Sequence, residues 1–393
     1  MSEPFSIVCV SRQEWNVDLP TNRQQIMQRA ARRGHRVLFV ESGDHLGRHL
    51  WRLVARPGRR SLLRRLFLRE QVAEGVEVRK AFNLAPWSQR FGTANRINAA
   101  LTKVLVGPLA DRLPSPRVLW LYDPCAHELA GAFGEAFAVY DCVDDYAEQV
   151  GTDARRKRFV ATADGKAAER AAVVFATTNG LYERHLARNP ETHLVRNGAD
   201  FGHFSAVEAG AAANAVRSLP APVIGFAGNL TAEKVDFALI ESVAAARPDW
   251  TFALVGPVAH DARESVARLA ERPNVHWLGA QPYADLPGFV AGFAVGVIPY
   301  RESAYTRNCS PLKVFEYLAA GKAVVASGVP EIAGMEPDVV VTEGDAAFLA
   351  AVEAALADDD GAARARRQAL AARNTWDGRT ERLLELVETR LAG

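Results

Sequence analysis

Short apolar runs rich in β-branched residues alternate with helix-period segments along almost the whole chain of 393 residues. The run Ser6–Val10 precedes a helical stretch that ends near Arg33, and Arg36–Val40 follows as the next run. Parallel strands need long crossover connections, and helices on both faces of the sheet usually provide them. The alternation therefore predicts an α/β protein built on parallel, doubly wound sheets.

The predicted strands form two groups, separated by an alanine-rich stretch at 205–222. The first group is Ser6–Val10, Arg36–Val40, Val118–Tyr122, Phe137–Tyr140, Val173–Ala176 and His193–Val195, and the second is Val223–Ala227, Phe252–Val255, Val275–Leu278, Val295–Ile298, Ala323–Ala326 and Val339–Val341. The stretch between them contains Gly210 and two prolines and has no strong strand pattern, so we predict a linker there. Two Rossmann-like domains, residues 1–204 and 223–375, follow from this division, with a final helix over 376–393.

Bulk composition excludes several classes of protein. The formal net charge is +1, which gives no reason to expect a nucleic-acid partner. The four cysteines have no CxxC spacing, and no apolar run approaches the roughly 20 residues of a membrane span. The first residues carry no basic region followed by a long apolar one, so we expect a cytoplasmic protein without a signal peptide.

In doubly wound sheets, ligands bind beyond the carboxyl ends of the strands. The loop after Val10 lacks the GxGxxG of dinucleotide oxidoreductases, and no GxxxxGK[ST] of P-loop NTPases occurs in the chain. The most informative stretch is 308–325, where Ser310 is predicted to cap a helix, Pro311 to begin it and Gly321 to end it.

Lys313 in the first turn of that helix makes it a competent diphosphate site. Glu316 lies on the same face and can accept hydrogen bonds from ribose hydroxyls. The alternative is an ordinary capped helix with a surface Lys–Glu pair.

The stretch Ser310–Val325 resembles the donor-binding helix of group 1 (family 4-like) glycosyltransferases. Further segments resemble the same family in the expected order: Val195–Asp200 with Phe204, Gly225–Leu230 with Lys234, Leu278-Gly279, Tyr283, Leu286-Pro287, and Ile298–Tyr300. The resemblance implies the GT-B fold, two Rossmann-like domains with the active site in an interdomain cleft. It also implies that the final helix returns to the first domain, that the first domain binds the acceptor and that the second binds a nucleotide sugar.

By this resemblance the donor is bound by Gly228, Asn229, Lys234, Asn308, Ser310, Pro311, Leu312, Lys313 and Glu316. Gly228 lets the backbone approach a phosphate, or serves only as the glycine of a tight βα turn. Retaining members of the family carry a glutamate eight residues before the ribose-binding one, and this chain has Asn308 there. The inverting outcome is therefore slightly favoured, and the retaining one stays open.

Three carboxylates follow the strand that ends near Tyr140, and clustered acids suit general-base chemistry. Asp144 is the predicted catalytic base, because the segment resembles that of the xanthan-pathway glucuronosyltransferase type. The alternative is that Asp144 or Asp145 caps the next helix, while Asp141 is expected to hydrogen-bond within the loop. His127 is a second candidate for the base or for a donor-sugar contact, or else a packed polar residue.

Trp15 and Arg23, in and just after the loop that follows the first strand, are the predicted acceptor contacts, although loop aromatics are often only packed. No group of His, Cys or acidic residues has a metal-ligand spacing. We therefore expect a metal-independent enzyme without a cofactor, in which Lys313 and helix amides stabilise the leaving diphosphate.

The segment Arg48–Arg69 contains eight arginines and no acid, interleaved with Leu, Val, Phe and Trp. Such a segment can bind an anionic leaflet. The alternative is a solvated hairpin whose arginines pair with acids elsewhere.

We therefore expect a glycosyltransferase at the inner face of the cytoplasmic membrane. It moves a sugar from a nucleoside-diphosphate sugar, UDP-sugar favoured, to a hydroxyl of a lipid-linked or growing cell-envelope or exopolysaccharide glycan. The alternatives are a nucleotide-sugar epimerase on the same fold, and a catalytically idle, membrane-bound partner subunit of a polysaccharide complex.

Overall fold

The computed structural model describes residues 4–17, 19–45, 70–151, 153–206 and 211–393. The basic segment Arg48–Arg69 lies outside the described residues. The chain divides into two compact units: unit 1 is Met1–Val195 with Thr380–Gly393, and unit 2 is Arg196–Arg379.

Unit 1 is built on an eight-stranded sheet in the order β3-β4-β2-β1-β5-β6-β7-β8. Its strands are β1 Ser6–Ser11, β2 Arg36–His45, β3 Glu70–Ala73, β4 Val76–Asn83, β5 Arg117–Leu121, β6 Phe137–Cys142, β7 Val173–Ala176 and β8 Thr192–Leu194. All neighbouring strands are parallel except β3 and β4, which pair antiparallel. The inner strands are buried on both faces, as their continuous apolar sequences predict.

The α-helices that the structure describes in the first 195 residues are α1 Asn22–Arg32, α2 Gly92–Ala110, α3 Ala154–Arg170 and α4 Asn179–Leu186, with a 3-10 helix at Pro124–Leu129. Asp153 and Thr178 cap α3 and α4 by accepting hydrogen bonds from backbone amides of the first turn.

Unit 2 is built on a six-stranded, wholly parallel sheet in the order β11-β10-β9-β12-β13-β14. The strands are β9 Val223–Ala227, β10 Thr251–Val255, β11 Val275–Trp277, β12 Val295–Pro299, β13 Ala323–Ser327 and β14 Val339–Thr342. Strand order reverses between β9 and β12, which is where a doubly wound sheet opens a crevice for a ligand.

The remaining helices are α5 Phe201–Ser205, α6 Ala211–Arg217, α7 Phe237–Ala246, α8 Arg263–Ala270, α9 Leu286–Ala291, α10 Ala304–Arg307, α11 Leu312–Ala319, α12 Asp345–Ala357, α13 Gly361–Ala372 and α14 Trp376–Ala392. Among the described residues, none of the helices is both long and apolar enough to cross a membrane.

The predicted doubly wound α/β class is confirmed. Every predicted strand is present, and all agree to within about two residues except β2, which continues five residues beyond the predicted end at Val40. The hairpin of β3 and β4 was not predicted. In β4, buried Val76 and Val78 alternate with half-buried Glu77 and Arg79, and the edge strand β3 is only four residues long.

Residues 196–222 were predicted to form the end of the first domain and the linker. In the structure they belong to unit 2. Helix α6 packs on α9, where Val216 is fully buried and the Cβ of a residue replacing Gly292 would lie 2.6 Å from it. Helix α14 begins in unit 2, and its part from Thr380 onward belongs to unit 1.

Candidate functional site

Two glycine loops meet at the carboxyl edge of the unit 2 sheet. Gly228 follows β9 with φ +151°, and Gly256 follows β10 with φ +140°. A Cβ at Gly256 would lie 2.0 Å from the backbone oxygen of Gly228, so the two loops approach this closely only without a side chain there. The absence of a side chain at Gly256 thus lets these two loops pack against each other at the strand ends.

Helix α11 begins one residue later than predicted. Pro311, with φ −65° and ψ 125°, is its N-cap, and Leu312 is the first helical residue. Ser310 was predicted to cap the helix and does not, because the extended Pro311 places it outside the first turn. The backbone oxygen of Ser310 instead accepts a 2.9 Å hydrogen bond from Nδ2 of Asn197.

The C-terminus of α11 follows the prediction. Gly321 adopts φ +75°, its N–H bonds to the oxygen of Leu318 at 2.9 Å, and the N–H of Lys322 bonds to the oxygen of Tyr317 at 2.8 Å. These two bonds form a Schellman motif, which ends the helix and turns the chain into β13.

Lys313 reaches back to the glycine loop. Its Nζ donates a 2.7 Å hydrogen bond to Oη of Tyr300 and lies 5.1 Å from the ring centroid of Phe226. The ideal Cβ position at Gly228 is 2.9 Å from Cε of Lys313. Burial lowers the pKa of Lys313, and the charge of Glu316 partly opposes this effect. The structure thus holds a poorly hydrated ammonium group against the loop after β9.

Glu316 lies one turn further along α11 and is half-buried. Burial raises the pKa of its carboxyl from 4.5 to about 7, although the charge of Lys313 lowers it. A carboxylate that has lost this much hydration gains from hydrogen-bond donors that a ligand brings, such as hydroxyl groups.

The other predicted donor residues lie around this loop with different partners. Nζ of Lys234 is 4.8 Å from the ring centroid of Tyr305, on α10. Asn229 is exposed immediately after Gly228, and Asn308 is the C-cap of α10.

Tyr300 and Tyr317 were not predicted as site residues. The hydroxyl of Tyr317 accepts a 2.7 Å hydrogen bond from the backbone N–H of Ala227, the last residue of β9. The hydroxyl of Tyr300 accepts the bond from Lys313. Both tyrosines therefore fix the geometry of the glycine loop and the lysine. The only sequence signal for this role was the position of each hydroxyl: Tyr300 stands at the end of a strand, and Tyr317 lies on the inner face of a helix.

In unit 1, the three carboxylates after or within β6 have different surroundings. Asp141 lies within the strand, fully buried, and accepts a 3.4 Å bond from Nε1 of Trp120 rather than bonding in the loop as expected. Asp145 accepts a 2.6 Å bond from Nη2 of Arg184, so it is held in an ion pair. Asp144, which lies between these two residues in the sequence, is half-buried.

Arg23 lies close to Asp144. Its Nη2 donates to Oη of Tyr146 at 3.1 Å and its Nη1 to Oε1 of Gln13 at 2.8 Å. Burial lowers the pKa of Arg23, but Tyr146 and Asp144 outweigh the burial, so the net pKa is raised. The structure therefore brings the predicted base and one predicted acceptor contact into the same electrostatic environment.

Trp15 and His127 are both packed inside unit 1. Trp15 is only 6% exposed and makes an edge contact with Phe39, at 5.1 Å between centroids. His127 is buried, Nδ1 lies 2.9 Å from the oxygen of Pro124, and burial lowers its pKa. These positions favour the packing alternative for each residue, and their roles in binding or catalysis stay predictions.

A polar cavity of about 360 Å³, its open mouth included, lies at the carboxyl edge of the unit 1 sheet. It is lined by Val10, Arg12, Ser42, Asn83, Ser88, Asn95, Asn98, Ala99, Thr102, Asp123, Cys125, Ala126 and Leu129. The cavity was not predicted, because its asparagines come from β4 and from α2, which adjoin it only in the folded unit.

The core of unit 1 also brings Cys142, Asp164 and His185 together, with one potential ligand atom of each within 4.8 Å of the others. Asp164 accepts a 2.5 Å bond from the hydroxyl of Tyr140 and lies 3.5 Å from Nε2 of His185. The spacing of these residues in the sequence gave no sign of the cluster. The expectation of a metal-independent enzyme stays a prediction.

Comparison with known proteins bears on this site directly. A family model described as "Glycosyl transferases group 1" matches residues 221–358. A Bacillus subtilis (strain 168) protein named for teichuronic acid biosynthesis, the glycosyltransferase TuaH, is 29% identical over 292 residues, which cover 69% of this chain and 73% of that protein.

Solved structures of other proteins resemble the whole chain, among them the following two. Sucrose-phosphate synthase from Thermosynechococcus elongatus gives a TM-score of 0.74 at 16% identity and covers 99% of both chains. HepE from Anabaena, in complex with UDP and glucose, gives 0.69 at 17% identity and covers 98% of this chain and all of that one. Together the comparisons confirm the GT-B fold and the resemblance to group 1, and the protein is a glycosyltransferase.

Proposed function

We propose that this glycosyltransferase binds a nucleoside-diphosphate sugar on unit 2, with a UDP-sugar favoured, and transfers the sugar to a hydroxyl of a lipid-linked or growing cell-envelope or exopolysaccharide glycan. The observation that carries the proposal is the approach of Lys313 to the loop at Gly228, beside the first turn of α11. UDP is favoured because the similar HepE structure contains UDP and glucose.

The diphosphate occupies the space above Gly228 and the start of α11. The first amides of a helix have no partner within it, and they attract an anion together with the helix dipole. Lys313 adds a full positive charge, and Tyr300 holds its Nζ in place. Because the ammonium is poorly hydrated, its attraction for a phosphate is stronger than that of an exposed lysine.

Glu316 accepts hydrogen bonds from the ribose hydroxyls. Its raised pKa means that the ionised form is underhydrated in the free protein. A ribose that donates two hydrogen bonds restores that lost solvation, so binding and ionisation of Glu316 favour each other.

Asp144 removes the proton of the acceptor hydroxyl. The acceptor oxygen attacks the anomeric carbon, its proton passes to the carboxylate, and the bond from the anomeric carbon to the diphosphate breaks with its electron pair on the leaving oxygen. Lys313 and the α11 amides stabilise that charge without a metal ion. An attack of this kind inverts the anomeric configuration.

The acceptor class is supported by the B. subtilis relative, whose name places it in teichuronic acid biosynthesis. A membrane location is supported by the Arg48–Arg69 segment, which has the composition for an anionic leaflet. We propose that the enzyme works as a peripheral protein on the cytoplasmic face.

Thermal-shift measurements with UDP, GDP, ADP and dTDP test the donor site. At about 100 Kd a bound nucleotide adds about 2.7 kcal/mol of apparent stability. We expect one nucleotide, UDP, to raise the melting temperature of the wild type, and Lys313→Ala to lose most of that rise.

Lys322→Ala is the matched control, because Lys322 follows the opposite end of the same helix. Its own melting temperature can change, but the rise with UDP must persist. If no nucleotide stabilises the wild type, or if Lys313→Ala keeps the full rise, the proposed donor site is wrong.

A further inference from the structure

Helix α2 buries both apolar and polar side chains: Val106 and Ala110 lie in the hydrophobic core of unit 1. Its buried side chains include Asn95, Asn98 and Thr102, which line the polar cavity of unit 1. Ile97 and Val104 lie on the opposite side and are exposed, Val104 to 70%. These two residues are additional to the apolar side chains that the helix packs into the core, and they form an outward apolar patch available to an external partner.

The exposed apolar residues are concentrated around this helix. Seven large hydrophobic side chains are exposed among the described residues, and five of them lie between 84 and 104. We call these five the α2 surface: Leu84, Trp87, Phe91, Ile97 and Val104.

The backbone at Trp87 is strained, and its side chain points into solvent. Its φ of +56° is the only positive φ of a non-glycine residue in the described part of the chain, and a bulky side chain strains the backbone there. The backbone oxygen of Trp87 accepts hydrogen bonds from the amides of Arg90 and Phe91, which fix the turn. The turn leaves the indole 61% exposed, 6.5 Å from the ring of Phe91 between centroids.

The charges around the α2 surface are positive. The sequence from 78 to 110 contains no acid, and Arg90, Arg96 and Lys103 on it are exposed. From the start of α3, the guanidinium of Arg155 lies 4.3 Å from the ring centroid of Phe91. The acid that approaches the surface, Asp153, is paired with Arg90.

We infer that the α2 surface docks on an anionic lipid leaflet. Exposed Trp, Phe and aliphatic side chains enter the interface, while flanking arginines and lysines bind the headgroups. A second copy of this chain fits the surface poorly, because a symmetric contact would bring the same cations face to face.

This membrane contact extends the proposed function, and the purpose of the contact rests on that function. The inner side of α2 lines a polar cavity, and the outer side would lie on the membrane. A glycan whose lipid anchor stays in the leaflet could therefore be received by unit 1 without leaving the membrane surface. Strands β2 and β4, on which α2 packs, also flank the basic Arg48–Arg69 stretch in the sequence.

The experiment measures cosedimentation of the full chain with vesicles of phosphatidylcholine, alone and mixed with phosphatidylglycerol. We expect binding only to the mixed vesicles. Arg96→Gln with Lys103→Gln should weaken that binding about 25-fold, since each cation near an anionic leaflet contributes about five-fold. Ile97→Gln with Val104→Gln should weaken it at least as much.

Leu186→Gln is the matched control, because Leu186 is an exposed aliphatic residue at the end of α4 in the same unit. All variants must keep the melting temperature of the wild type and its rise with UDP, which separates failure of this inference from failure of the donor site. Wild type that does not sediment, or double variants that sediment like wild type, would overturn the inference. A lipid-free dimer that Ile97→Gln with Val104→Gln dissociates would assign the surface to a second copy instead and also overturn it.

Discussion

The carboxyl of Glu316 should make the protein less stable as the pH rises from 4.5 to about 7. Its pKa in the folded protein is raised to about 7 by burial, against an ordinary value of 4.5. Between these two values the folded state binds more protons than the unfolded state, so the free energy of unfolding falls with rising pH. Below pH 4.5 the carboxyl is protonated in both states and the penalty disappears.

The magnitude follows from the pKa difference. Each pKa unit corresponds to about 1.4 kcal/mol, so the full difference is worth about 3 kcal/mol above pH 7. Because the side chain is half-buried and partly screened by water, we expect a measured loss of about 1–3 kcal/mol.

Urea unfolding of wild type and Glu316→Gln across this pH range measures the effect. The glutamine cannot ionise, so the variant should become more stable than wild type by a margin that grows from pH 4.5 to 7 and then stays constant. Taking the difference between the two proteins removes the contributions of other titrating groups. Glu343→Gln, at an exposed glutamate of the same unit, is the control substitution.

A difference between Glu316→Gln and wild type that stays flat over this range would show that burial of the carboxyl does not act on stability in this way. The same variant should bind UDP more weakly, because the ribose loses its acceptor. Together, higher stability and weaker binding would indicate that the carboxylate is kept for function at the expense of stability.

Further substitutions test the packing and the chemistry. Gly225→Ala should destabilise the protein by about 1–3 kcal/mol in urea unfolding, because its Cβ would lie 2.1 Å from the ring of Phe293. Tyr317→Phe should cost about 1–3 kcal/mol in the same assay by leaving the buried N–H of Ala227 without an acceptor. Asp144→Asn should slow UDP release from UDP-sugar in the presence of acceptor by about 10²–10⁴-fold while the thermal shift with UDP is unchanged; a rate like that of wild type would contradict its role as the base.

The sequence predicted the architecture because the signals for it are local. Strands such as β9 and β13 are continuous apolar runs, which only a sheet covered on both faces accommodates. The end of α11 at Gly321 was likewise predictable, since few residues other than glycine adopt the left-handed conformation there.

Local sequence signals predicted the start of α11 one residue too early. Serine followed by proline is a common helix beginning, but Pro311 takes an extended ψ and becomes the cap itself. The hydrogen bond from Asn197 to the oxygen of Ser310 comes from a residue more than a hundred positions away, so no local pattern could reveal it.

Local sequence features were enough to predict most strands of the two sheets and the helix that carries Lys313 and Glu316, because periodicity, caps and turn residues act over a few neighbouring positions. Packing of the whole chain determined which groups meet. It set Lys313 against Tyr300, buried Trp15, and left Ile97 and Val104 of α2 exposed. Hydration and contact between distant segments control these outcomes, and both exist only once the chain has packed.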